Sequence, residues 1–160
     1  MTTSMKHRER SERGGALVEL ALTLPLLVII IAGTVDFARV FYASVSLTNA
    51  ARAGAQYGAF SLGNSGNATT MVSTAVNSVP DVKGGINATA SRLCMCASDT
   101  GTLTATSPAN TCTYTCPSSG HIVATVTVTA TKTFTTIMNL LPGVPGSINL
   151  SRSATLRVAN

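Results

Sequence analysis

Residues 16–35 read ALVELALTLPLLVIIIAGTV, an apolar run broken by one charge, Glu19, and one proline, Pro25. As a helix these 20 residues would span roughly 30 Å, the hydrocarbon thickness of a bilayer. The apolar pattern then changes character without ending. Over residues 37–60, apolar or small side chains recur at Phe37, Val40, Phe41, Leu47, Ala50, Ala51, Gly54, Tyr57 and Gly58, close to the i, i+3, i+4, i+7 spacing of one helix face. Ala50, Ala51, Gly54, Ala55 and Gly58 make that face small, and small residues let backbones approach closely. Such a face suits either another helix or the chain's own C-terminal part. Residues 16–60 as a single helix would be roughly 68 Å long, with a bend expected at Pro25.

Beyond residue 60 the periods shorten. LGNSG at residues 62–66 predicts a turn or hinge. Ala68, Met71, Val72, Ala75, Val76 and Val79 then mark an amphipathic helix over residues 67–79, stopped by Pro80. Ile122, Ala124, Val126, Val128 and Ala130 alternate with Val123 and four threonines. Ile148, Leu150, Ala154, Leu156 and Val158 alternate with polar residues, Arg152 being the exception on the apolar side. Period two with one apolar face marks half-buried antiparallel strands. Residues 86–96 predict a third, weaker strand, and residues 135–141 a short helical turn ended by PGVPG. The expected fold class is α+β. A long transmembrane and stalk helix leads into a small domain with a second helix packed on an antiparallel sheet. The boundaries expected are a basic leader (1–14), the long helix (15–60) and a head (61–160).

Charge fixes the orientation expected of this layout. Lys6, Arg8, Arg10 and Arg13 outweigh Glu9 and Glu12 ahead of the apolar run. The positive-inside rule therefore keeps the leader in the cytoplasm and sends everything after about residue 35 outside. A cleaved secretory signal fits less well. The run exceeds the ~7–15-residue apolar core of such signals, it contains Glu19, and the helical pattern continues through Asp36 to Arg39 with no small-x-small break. Charged residues are only 11% and aromatics 4% of the chain, below the roughly 25% charged residues of an ordinary globular domain. The net charge of +5 is scattered and forms no basic stripe, so nucleic acid is not an expected partner.

Glu19 carries the most information. A carboxylate at mid-bilayer costs on the order of 2.5–3.5 kcal/mol, but one turn inside the run it stays near the interface. One reading is an acid tolerated near a helix N-terminus, where the dipole favours it. The other needs a cut after Gly14, which makes Gly15 the first residue and Glu19 the fifth. The new α-amino group would be cationic, with a pKa of roughly 8. It can pair with a Glu19 carboxylate, its own or a neighbour's, and so fix axial register between packed helices.

The run from Gly14 to Pro25, GGALVELALTLP, resembles the start of the TadE-like family, as do GTVDFAR at residues 33–39 and LTNAARAGAQYG at residues 47–58. The resemblance covers residues 14–58. In type IV pilin relatives that glycine marks the prepilin-peptidase cut, here at Gly14 and Gly15, and the glutamate, here Glu19, serves register in assembly. Two departures stand out: Leu20 lies where Flp-type pilins usually have Tyr or Phe, and Asp36 where Glu is common. The resemblance implies a pseudopilin or minor pilin of a Flp/Tad tight-adherence pilus, acting in assembly, surface adhesion and biofilm formation. Its implied partners are other pilin subunits, the inner-membrane assembly platform, prepilin peptidase and membrane lipid. The implied location is the bacterial inner membrane, single-pass, with a periplasmic head that can enter a cell-surface pilus.

Four cysteines form Cys94-x-Cys96 and Cys112-x3-Cys116. Outside the membrane they are expected to be oxidised. One bridge over a loop of this size stabilises by roughly 3 kcal/mol. A zinc site is the alternative, but the spacing fits metal knuckles poorly and no histidine is near. Of the possible pairings, nested bridges, Cys94–Cys116 and Cys96–Cys112, are the expectation. No metal, cofactor or catalytic set emerges. The histidines are His7 and His121, the acids after Asp36 are Asp81 and Asp99, and general acid–base work needs a positioned pair. The chain is thus expected not to be an enzyme. The three Asn-x-Ser/Thr triplets, at Asn67, Asn87 and Asn149, read as chance. Two other readings stand beside the pseudopilin: an uncut bitopic component of the Tad secretion machine, and an adhesin that binds a ligand through its head and the loop at residues 97–110. An exported soluble protein is the weakest reading.

Overall fold

The computed structural model describes the chain except residues 1–7, 81, 83–84, 106–111, 114, 117–119, 141–142 and 160, and except the side chains of residues 8–13 and 140. The expectations placed on His7, Asp81 and most of the loop after residue 105 lie outside the described residues. The chain divides into two compact units, one of Met1–Arg39 with Thr136–Gly146 and one of Val40–Thr135 with Ser147–Asn160.

Helix α1 (Arg8–Ala59) is 52 residues long and contains Pro25. It begins earlier than the apolar run and passes through Gly14 and Gly15 without a break. In the first unit every side chain from 14 to 31 is exposed. Thr23 and Thr34 hand their hydroxyl hydrogens to the carbonyls of Glu19 and Ile30, at 3.0 and 2.7 Å. These two hydroxyls are thereby satisfied by the helix backbone, which suits a low-dielectric surrounding.

In the second unit the same helix becomes a core element. Ala43, Leu47, Ala50, Ala51 and Ala55 are buried. The glycines on this face are there for close approach. A Cβ on Gly54 would lie 2.6 Å from the Met71 carbonyl oxygen and 3.0 Å from Ala75 Cβ, and one on Gly58 would run into the Met71 sulfur. The small stripe is therefore used inside the chain. It seats helix α3 (Ala68–Asn77) and the sheet rather than standing open for another molecule. Helix α2 (Leu62–Ser65) replaces the expected turn with one helical turn, capped by the Ser61 hydroxyl, which accepts from Asn64 N–H. Asn67 caps α3 in the same way, its Oδ1 accepting from Thr70 N–H at 3.0 Å. An Asn at that place has a structural reason without any glycan.

Among the described residues the sheet has four antiparallel strands, β1 (Asn87–Ala97), β2 (Leu103–Ala105), β3 (His121–Thr135) and β4 (Ser147–Arg157), in the order β2-β1-β3-β4. The register runs Asn87↔Thr131 to Ala97↔His121 between β1 and β3, and Thr125↔Arg157 to Thr135↔Ser147 between β3 and β4. Even-numbered positions of β3 (Ala124, Val126, Val128, Ala130 and Phe134) face the helices and are buried. The other face carries a hydroxyl ladder, with Thr127 and Thr155 hydroxyls 2.8 Å apart and Thr133 donating to Asn149 Oδ1 at 2.9 Å. Two apolar clusters form the core. Leu47 meets Phe134 and Leu150 in one, and Met71 meets Val126 and Val128 in the other.

Strand β2 lay inside the expected loop and corrects it. Three residues are too few to show a period. The hairpin closes over Ser98–Thr102, where Ser98 N–H donates to Thr102 O at 3.0 Å and Gly101 takes φ 81°. Arg152 also finds its explanation. It lies on edge strand β4, exposed, with its guanidinium donating to the Ser151 carbonyl at 2.8 Å. A charge on the apolar side of an edge strand discourages pairing with another sheet.

Candidate functional site

Gly14, Gly15 and Glu19, the residues expected to matter for processing and assembly, all lie exposed on α1. A side chain at Gly14 or Gly15 would meet nothing within 4 Å. The contrast with Gly54 and Gly58 is direct: packing within the chain demands glycine at the latter pair and not at the former. Among the described residues nothing hydrogen-bonds or pairs with the Glu19 carboxylate, while its backbone oxygen accepts from Thr23. Among the described residues, packing accounts for neither the glycines at 14 and 15 nor the acid at 19.

Asp36 is the residue that the sequence reading passed over. It was noted only as a departure from Glu, yet it is 8% exposed and clasps the loop between β3 and β4. Ile137 N–H donates to Oδ2 at 2.9 Å and Oδ1 at 3.1 Å, and Met138 N–H donates to Oδ2 at 3.1 Å. Arg39 Nη1 bonds Oδ1 at 3.0 Å, one turn along the helix. The carboxylate thus caps the 3₁₀ turn Ile137–Leu140, which matches the expected helical turn. The loop is tied at its base, with Thr136 N–H donating to Gly146 O at 3.2 Å and the Thr136 hydroxyl to Pro145 O at 2.8 Å. A buried acid is stable only when paired and hydrogen-bonded, and here both conditions are met. The one available sequence signal was an acid placed directly after an apolar run, with a short turn predicted far along the chain.

The four cysteines are all paired, as Cys94–Cys112 and Cys96–Cys116, with Cα–Cα distances of 5.4 and 5.6 Å. The nested pairing is corrected to an interleaved one. Cys94 and Cys96 do share a face of β1, the buried one. Nested bridges need the Cys112–Cys116 segment to run antiparallel to β1; the observed bridges need it to run the same way. Sequence spacing carries no information on that direction.

On the opposite face of the sheet a cavity of about 600 Å³ opens beside the β1–β2 hairpin. Met95, Leu103 and Val123 supply apolar walls, and Asp99, His121 and Arg157 supply charge or polarity. Among the described residues there is no cluster of three or more His, Cys, Asp or Glu able to hold a metal ion.

α1 also holds a stretch long and apolar enough to cross a membrane, within Gly14–Ala59. Curated proteins and solved structures gave no match to this chain. One family model does match, over residues 14–56, the part of the chain where the resemblance was read, and its description is TadE-like protein. That match runs along the helix from Gly14 into the small-residue face, about a quarter of the chain, and over that segment the chain is similar to the TadE-like family.

Proposed function

We propose that this chain is a membrane-anchored pseudopilin, a structural and non-enzymatic subunit of a Flp/Tad pilus system. The observation that carries this reading is the match over residues 14–56 coinciding with an exposed apolar helix that bears a single acid five residues after Gly14. The chain inserts with its leader in the cytoplasm and its head in the periplasm. Prepilin peptidase cuts after Gly14, and the freed amino group of Gly15 pairs with Glu19 of the same or a neighbouring subunit. Other pilin subunits, the assembly platform and lipid are its partners, and surface adhesion and biofilm formation follow from the pilus.

Gly14 and Gly15 lie exposed on α1 with nothing packed against them, which leaves the proposed cut sterically open. Intact mass and N-terminal sequencing of protein extracted from membranes test it. A start at Gly15 is expected. A start at Met1 points instead to the uncut bitopic component of the secretion machine. The cavity beside the β1–β2 hairpin favours a second role for the head, as an adhesin. Leu103→Arg would fill its apolar wall with charge and should abolish surface binding without altering pilus assembly if that role holds.

A further inference from the structure

We infer that the 3₁₀ turn Ile137–Leu140 is a second membrane contact, seated in the outer interface of the bilayer beside the spanning helix. The inference rests on the reading of residues 16–35 as a membrane span and deepens it.

Depth is the first argument. Met138 lies against Gly33, inside the apolar run: a Cβ on Gly33 would sit 3.6 Å from its sulfur. The backbone N–H groups of Ile137 and Met138 reach Asp36, one residue beyond the run. The 3₁₀ turn is therefore held level with the last turn of the apolar helix. If residues 16–35 fill the hydrocarbon, this turn is at its outer edge.

Chemistry is the second. Ile137 is 57% exposed, and Phe37, on the helix at the same level, is also exposed. Single exposed apolar side chains are ordinary on a water-facing surface, but these adjoin a helix whose residues 24–31 are apolar and exposed on every side. The apolar surface is continuous from helix to loop. The N–H groups of Ile137 and Met138 are satisfied by Asp36, which removes the cost of bringing those two groups near lipid. Arg39, bonded to Asp36 yet with its side chain 44% exposed, brings a cation to headgroup depth, where phosphates lie. The occupant that matches an apolar tip with a cation behind it, joined to a spanning helix, is a phospholipid leaflet.

The test uses the full chain in vesicles of phosphatidylcholine and phosphatidylglycerol. The native cysteines are all in disulfides, so a single added thiol can carry an environment-sensitive fluorophore. Three positions are labelled separately: Ile137→Cys, Val35→Cys and Ser153→Cys. Lipid with a doxyl quencher high on its acyl chain reports contact. The expected result is a blue shift and strong quenching at residues 137 and 35, and neither at residue 153. Asp36→Ala is expected to lose the quenching at residue 137 and keep it at residue 35; unchanged quenching at both would overturn the part given to Asp36. A water-like, unquenched probe at residue 137 with residue 35 quenched would overturn the inference and leave the span intact. A blue-shifted probe at residue 137 that doxyl lipid does not quench would mean a protein neighbour covers the loop, which also overturns it. If residue 35 itself escapes quenching, the spanning reading fails, and this inference with it.

Discussion

Helix α1 has two halves that obey different rules. From Leu20 to Ile31 its side chains are mostly large and apolar, and all are exposed; from Ala43 to Gly58 one stripe, mostly small, is buried. In the first half hydrophobicity has no direction around the helix. In the second it follows the helical period. An apolar helix exposed on all sides needs an apolar solvent, whereas an amphipathic one needs only a sheet to rest on. Hydrophobic content alone does not separate the two halves; the way it is distributed around the helix does.

The same substitution in the two halves should sharpen this comparison most. Leu47 is fully buried beside Phe134 and Leu150, and Leu47→Ala should cost ~2–5 kcal/mol. Thermal unfolding in detergent followed by circular dichroism would then show a melting temperature lower by roughly 10 °C or more. Ile29→Lys should act on the other half alone. It costs about 3 kcal/mol of membrane insertion, so the protein should move from the membrane pellet to the soluble fraction on alkaline extraction. Gly54→Leu comes next. Removing a helical glycine gains about 1 kcal/mol, but the clash with the Met71 carbonyl costs up to ~3 kcal/mol. A net loss of about 2 kcal/mol is expected in the same unfolding experiment. Leu27→Ala is the smallest. Leu27 is 54% exposed, and the melting temperature of the head should stay within error, a change of under ~0.5 kcal/mol. If Leu27→Ala and Leu47→Ala destabilised the head equally, the two halves would not differ as described.

Much of this was legible in the residues because it is local. The apolar run, the small stripe from Ala50 to Gly58, the helix at Met71 and Ala75, and the alternation in β3 and β4 each follow from a period within one segment. What was missed depends on partners distant in sequence. Asp36 finds its partners 101 and 102 positions away, and no period links them. Strand β2 is three residues long, so its pairing with Met95, Cys96 and Ala97 is set by the hairpin. The disulfide pairing turns on the direction in which the Cys112–Cys116 segment passes β1. Arg152 looked like an error of alternation until β4 proved to be the sheet's edge. Gly14, Gly15 and Glu19 were singled out for a different reason, an acid inside an apolar run and a family resemblance, and among the described residues nothing packs against them.

Cysteine scanning along α1 in intact membranes is the most direct test of one helix meeting two solvents. Single cysteines from residue 16 to residue 58 would be challenged with a water-soluble maleimide. The account predicts no reaction on any face through residues 16–35. It predicts a helical period beyond, with Phe41, Val45, Asn49, Arg52 and Gln56 reactive and Ala43, Leu47 and Ala50 protected. Reactive positions spaced through residues 16–35 would place that half in water and contradict the account.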